Sequence, residues 1–143
     1  MMIDGTRSSD RTTELVLAYY AAYNRADLEG MLAMVGDGIV HEINQGRREV
    51  GREALRGYLV ERARCYREQL SDVVVLASWD GNRAAAEYQV EGSYLATQGD
   101  LPAAHGQTYR LAGGAFFEVQ GSRITRITNY YNLQDWLRQV GTP

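Results

Sequence analysis

The spacing of apolar and polar positions divides the chain into a helical first half and a stranded second half. Asp10 is a helix-cap residue, and after it Leu15, Tyr19, Ala22 and Tyr23 fall on one helical face. Asn24-Arg25-Ala26 interrupts that pattern. Asp27 caps a second, shorter helix with Leu28, Met31, Leu32 and Val35 inward and Gly36 as a stop. Ile39 to Asn44 (IVHEIN) alternates as a short strand, and the turn-like QGRREVG follows it. A third helix is predicted from about Arg52 to Leu70, because Leu55, Tyr58, Leu59, Ala63, Tyr66 and Leu70 recur at helical spacing.

Beyond Asp72 the texture changes. VVVLASW, the turn DGN and RAAAEYQVEGSYL form one predicted hairpin. After the loop ATQGDLPAAHGQ, the strands TYRLAGGAFFEV and RITRITNYY form a second around QGS, and Leu133 to Val140 reads as a closing helix. Helices followed by an antiparallel meander predict an α+β domain with helices covering one face of a curved sheet. The concave side of such a sheet is a natural place for a small-molecule pocket.

Two strands raise a question of facing. In RITRITNYY, period two puts Ile127, Asn129 and Tyr131 on one side, and Ile127 marks that side as apolar. An amide there needs a partner, either a protein group or a ligand. In RAAAEYQVEGSY, Glu87, Gln89 and Glu91 share one side while Ala86, Tyr88 and Val90 share the other; periodicity alone turns the glutamates to solvent.

Composition narrows the class. A chain of 143 residues, 45% apolar and 23% charged, is one domain with a core that needs no staples, preceded by a flexible tail over about residues 1–9. A net charge of −3 argues against a nucleic-acid surface. No apolar stretch approaches the roughly 20 residues of a membrane helix, and the polar start MMIDGTRSSD lacks the apolar core of a secretion signal. The single cysteine, Cys65, forms no internal disulfide, so a cytoplasmic location is expected. Every basic residue is arginine, which removes Schiff-base chemistry on a lysine. His41 and His105, with one cysteine, give no metal-ligand spacing, and no phosphate loop is present; neither metal nor cofactor is expected. Gly113-Gly114 sits inside a strand pattern, as a bulge or a place of close packing.

The stretch YYAAYNRADLEGMLAMVGDGIVHEINQGRREVGREALRGYL resembles the opening of nuclear transport factor 2-like proteins, in the branch of ketosteroid isomerases and SnoaL-like polyketide cyclases. LPAAHGQTYRLAGGAFFEVQGSRITRITNYYNLQDWL is similar to the corresponding part of limonene-epoxide hydrolase, of the same superfamily. The resemblance spans about residues 15–137. It implies a cone-shaped fold with three N-terminal helices on a strongly curved mixed or antiparallel sheet, a deep pocket between them, and a homodimer through the sheet. Ketosteroid isomerase uses a tyrosine, a general-base aspartate and a protonated aspartate. Tyr19 matches the tyrosine. Ile43 stands at the base position, with Glu42 beside it facing the other way, and Ala115 stands near the protonated acid. Against limonene-epoxide hydrolase, His41 and Asn44 occupy the places of the water-holding Tyr and Asn. Asn129 occupies the base position, and Glu91 with Gln89 falls near the Arg–Asp pair. The resemblance therefore turns Glu87, Gln89 and Glu91 inward, against their periodicity.

From these residues the expected catalytic groups are His41, Glu87, Glu91 and Tyr19, with Asn44, Tyr66, Gln89, Asn129 and Tyr131 binding the substrate. A carboxylate in a dry pocket is raised toward a useful acid–base range, histidine titrates near neutrality, and tyrosines donate to an oxyanion. The expected function is a cofactor-independent acid–base enzyme, an isomerase, cyclase or dehydratase, acting on a hydrophobic small molecule. An epoxide hydrolase and a non-catalytic binding domain are the alternatives. His105, in the loop before the last hairpin, is expected at the surface, and Cys65 is expected to be a small buried residue.

Overall fold

The computed structural model describes residues 7–141. Helix α1 (Ser8–Asn24) opens with Arg7 at its cap and no side-chain capping bond, three residues before the predicted cap Asp10. Residues 8 and 9 of the expected tail are thus helical, and residues 1–6 lie outside those described. Asp27 caps α2 (Leu28–Ala33) as predicted: its side chain accepts the Gly30 N–H, one of the donors a helix start leaves orphaned. The chain enters β1 (Val35–Glu42) at once, so Gly36 lies within that strand rather than stopping the helix. A short β2 (Arg48–Val50) leads into α3 (Arg52–Cys65).

The largest departure from the sequence pattern comes next. The third helix ends at Cys65, and Tyr66–Leu70 begins β3 (Tyr66–Ala77). Four residues are close to one helical turn and also two strand repeats, so Tyr66 and Leu70 share a face in either conformation. Pairing decides. β3 runs antiparallel to β4 (Arg83–Tyr94) from Tyr66 opposite Tyr94 to Ala77 opposite Ala84. Tyr66, Glu68 and Leu70 then face the helices while Arg67, Gln69 and Ser71 face out.

β5 (Gln107–Gln120), β6 (Arg123–Tyr131) and α4 (Leu133–Val140) complete the chain. The sheet order is β2-β1-β6-β5-β4-β3, with β1 parallel to β6 and the other neighbours antiparallel. Register shifts in β1, β3 and β5, the one in β3 with Asp72 at φ 53°, bend the sheet around the helices. This is the predicted α+β architecture. The core between sheet and helices holds Val16, Ile39, Leu55, Phe117 and Ile124, each almost wholly buried. Trp136 of α4 closes one end, its indole 5.1 Å from the Tyr94 ring and 6.1 Å from Tyr66. Among the described residues no helix is long and apolar enough to cross a membrane.

Candidate functional site

A cavity of about 100 Å³ remains between the inner face of the sheet and the helices. That is of the order of the engineered cavity of roughly 150 Å³ that admits benzene. Its walls are mainly phenol rings and aliphatic chains, and its polar groups fall into two clusters.

The first cluster is built on β1 and β6. His41 leaves the inner face of β1 beside Ile127, and Asn129, two residues along β6, reaches back to it. The Asn129 amide nitrogen and His41 Nε2 are 3.0 Å apart, and the Tyr58 ring of α3 meets the imidazole edge-on at 4.5 Å. His41 is 3% exposed. Burial disfavours its charged form and pulls its pKa down to about 4, so it is neutral at physiological pH. Its Nδ1 is buried with no partner. An amide nitrogen donating to Nε2 makes Nδ1 the N–H donor; the amide turned by half a rotation makes Nδ1 an acceptor. In both tautomers one ring nitrogen has no protein partner.

The second cluster is built on α3, β3 and β5. Glu68 is opposite Gly92 on β4, and Gly92 is opposite Tyr109 on β5. A Cβ on Gly92 would lie 2.3 Å from the Tyr109 ring, so the missing side chain is the slot through which Tyr109 crosses β4 to donate its O–H to Glu68 Oε2. Tyr23, at the end of α1, donates to Oε1 at 2.5 Å, and Arg62, near the end of α3, donates to the same oxygen at 2.9 Å. The Arg62 guanidinium lies over the Tyr66 ring, 4.1 Å from its centre. Both ions are largely withdrawn from solvent, with side-chain exposures of 17% for Arg62 and 8% for Glu68. Burial works against the Glu68 charge. Arg62 and the hydrogen bonds from Tyr109 and Tyr23 outweigh it, holding the carboxyl below its ordinary range and therefore ionised. The Tyr23 and Tyr109 phenols are pushed up, first by burial and then by Glu68, so both remain protonated donors.

Of the residues singled out from sequence, His41, Tyr19, Tyr66, Asn129 and Tyr131 line this cavity. The Tyr66 hydroxyl is already committed to Gln98 at 2.7 Å, which leaves its ring as wall. Burial drives the Tyr19 phenol well up, so it too stays protonated.

Glu87, Gln89 and Glu91 are a correction. They lie on the outer face of β4, with Glu87 and Glu91 exposed and Glu91 paired to Arg110 at 3.6 Å. Tyr88 and Val90 take the inner face, as periodicity alone requires, so neither glutamate reaches His41. Asn44 is not a wall residue either. Its Oδ1 accepts the Tyr131 N–H at 3.1 Å and fastens the end of β1 to β6, while its Nδ2 is buried without a partner. His105 is exposed, Cys65 is buried, and Gly113 serves close packing, since a Cβ there would lie 2.6 Å from the Tyr88 ring.

Sequence reasoning missed Arg62, Glu68, Tyr23 and Tyr109 as a group. Their signal was the alternation in YREQLS, which a helix extended to Leu70 conceals. Among the described residues no group of three or more His, Cys, Asp and Glu side chains is placed to hold a metal ion.

Comparison with known proteins fits this geometry. The SnoaL-like domain model matches residues 16–127, most of the chain. The chain belongs to the SnoaL-like family. This SnoaL-like protein is 52% identical to a candidate polyketide cyclase from Xanthomonas campestris, with TM-score 0.89 over 92% of this chain and 98% of that one. It is 50% identical to another from Pseudomonas putida, with TM-score 0.89 over 90% and 97% of the two chains. A third, from a Silicibacter species, is 41% identical with TM-score 0.91 over 94% and 98%. Below 25% identity, an LEH-like epoxide hydrolase from Mycobacterium tuberculosis (18%, TM-score 0.73) and a candidate ketosteroid isomerase from Kribbella flavida (22%, TM-score 0.65) share the fold alone. No curated protein matches the sequence.

Proposed function

We propose that the cavity binds a compact, largely apolar small molecule and moves a proton on it without a cofactor, as an isomerase, cyclase or dehydratase does. The observation that carries this reading is His41, a neutral, buried imidazole in the cavity wall, oriented by Asn129; with its Nε2–H donating to the amide oxygen, the unpartnered Nδ1 is the acceptor. A positioned histidine that is neutral at working pH accepts a proton from an acidic carbon or hydroxyl. The phenols of Tyr19 and Tyr131 in the same wall offer donors to the oxygen on which charge develops. Names of the relatives at 41–52% identity support the same class. The test uses 2-tetralone and acetophenone as carbon acids in deuterated buffer. Proton NMR is expected to show deuterium entering the α-positions at least ~100-fold faster with the protein, and His41→Ala is expected to lose that acceleration. Equal exchange by the variant removes His41 from the role.

A second reading has its own support. Glu68 accepts three hydrogen bonds that hold its carboxyl below the ordinary range and make it a weak proton acceptor, which favours a binding domain that does no chemistry. Ligand-induced thermal stabilisation with no exchange of any ketone selects it. The epoxide-hydrolase reading needs a free carboxylate to activate water, and among the described residues the carboxylate in the cavity wall is Glu68, which already accepts three hydrogen bonds.

We also propose that the SnoaL-like protein is a homodimer through the outer face of its sheet. Leu76, Phe116 and Tyr130 are exposed there, beside Arg126, which pairs with Glu118 at 3.3 Å and Glu42 at 3.7 Å. A single buried cysteine suits the reducing cytoplasm.

A further inference from the structure

In the cluster around Glu68, the protein uses its carboxylate acceptor and leaves donors over. Glu68 accepts from Tyr23, Arg62 and Tyr109. Arg62 carries five N–H donors, and among the described residues Glu68 is its hydrogen-bond partner. Buried polar groups in folded proteins are nearly always paired, so unpaired donors around a cavity call for acceptors from its occupant.

The guanidinium is also fixed in place. Glu68 holds one edge, and the Tyr66 ring supports its face at 4.1 Å. Glu68 meets the guanidinium through Nη2 and one carboxylate oxygen, so the other N–H groups of Arg62 are not engaged by it. A planar fork of N–H groups, stacked and oriented, suits a carboxylate, which can take two parallel hydrogen bonds. The rest of the wall is apolar or aromatic, including the Tyr58, Tyr88 and Trp136 rings, and suits a flat hydrocarbon body.

We propose that Arg62 is a ligand-anchoring residue, and that the ligand of this cavity is a compact planar carboxylic acid whose carboxylate seats on the Arg62 guanidinium with its apolar body among the tyrosines. This rests on the reading of the cavity as a small-molecule site but not on any proton transfer by His41. Glu68, Tyr23 and Tyr109 act through Arg62 as positioning residues. A purely structural Arg62–Glu68 pair predicts no discrimination between charged and neutral ligands of one shape.

The test is calorimetric titration at neutral pH with benzoate and with benzamide, which share size and planarity but differ in charge. Benzoate is expected to bind at least about tenfold more tightly, because charge-assisted bidentate bonds are the stronger ones. Arg62→Met alone would strand Glu68 without its counter-ion, so the deciding variant is the neutral pair Arg62→Met/Glu68→Gln. In it the preference is expected to vanish, with benzoate and benzamide binding within about twofold of one another. Arg62→Lys keeps the charge but loses the fork, and is expected to cut the preference severalfold. Benzamide binding as tightly as benzoate to the parent, or a preference that survives in the double variant, overturns the anchor and leaves the small-molecule cavity standing. Failure of both probes to bind overturns the cavity reading and the anchor together.

Discussion

His41 carries the clearest pH consequence. Its pKa is about 4 in the folded protein against an ordinary 6.5, so between those values the unfolded chain binds more protons than the folded one. Stability therefore falls as pH drops from about 6.5 to about 4, by about 3 kcal/mol across the window, and is fully regained above it. Urea denaturation at the two ends of the window should show that loss in the parent and a much flatter profile in His41→Gln. A profile as steep in the variant means that other groups carry the acid sensitivity. Asn129 illustrates the same environment from the other side. An amide among apolar neighbours was legible in sequence as buried and in need of a partner, and His41 is that partner.

Among the strands, a single missing side chain decides how the second cluster is assembled. Gly92 lets Tyr109 cross β4 to Glu68, and Gly92→Ala would set a methyl 2.3 Å from that ring. The expected cost is about 1–3 kcal/mol, with weakened ligand binding as the phenol leaves the carboxylate. Gly57 is the contrast. It lies inside α3, a Cβ there meets nothing within 4 Å, and Gly57→Ala should stabilise by about 0.5–1 kcal/mol. Thermal melts of the two variants beside the parent check both signs. The α3–β3 junction shows how far local pattern reaches. The helix start at Arg52 was readable, but its end was not, because Tyr66 and Leu70 satisfy helix and strand spacing alike and only pairing with β4 separates them.

The proposed dimer would form on the outer face of the sheet. Monomers seldom leave large apolar groups clustered in the open, and Leu76, Phe116 and Tyr130 do so here beside the Arg126 ion pairs. Sedimentation is expected to find a dimer for the parent and a monomer for Phe116→Glu, which places like charge and a desolvation cost at the centre of the contact. A parent that sediments as a monomer removes the proposed interface.

By itself the sequence determined the α+β class, nearly every element and the inward facing of Asn129. These follow from short-range periodicity and capping, which are written within a few neighbouring residues. The outward facing of Glu87 and Glu91 was already written in the alternation of their strand, and the tertiary structure alone decided that Glu68 is the carboxylate of the cavity. Glu68 faces inward because β3 begins at Tyr66 and pairs with β4 from Tyr94, which sets Tyr66, Glu68 and Leu70 on the side of the helices. Convergence of Arg62, Glu68, Tyr23 and Tyr109 depends on contacts between groups as much as 45 residues apart, and no local pattern encodes which distant side chain closes on which.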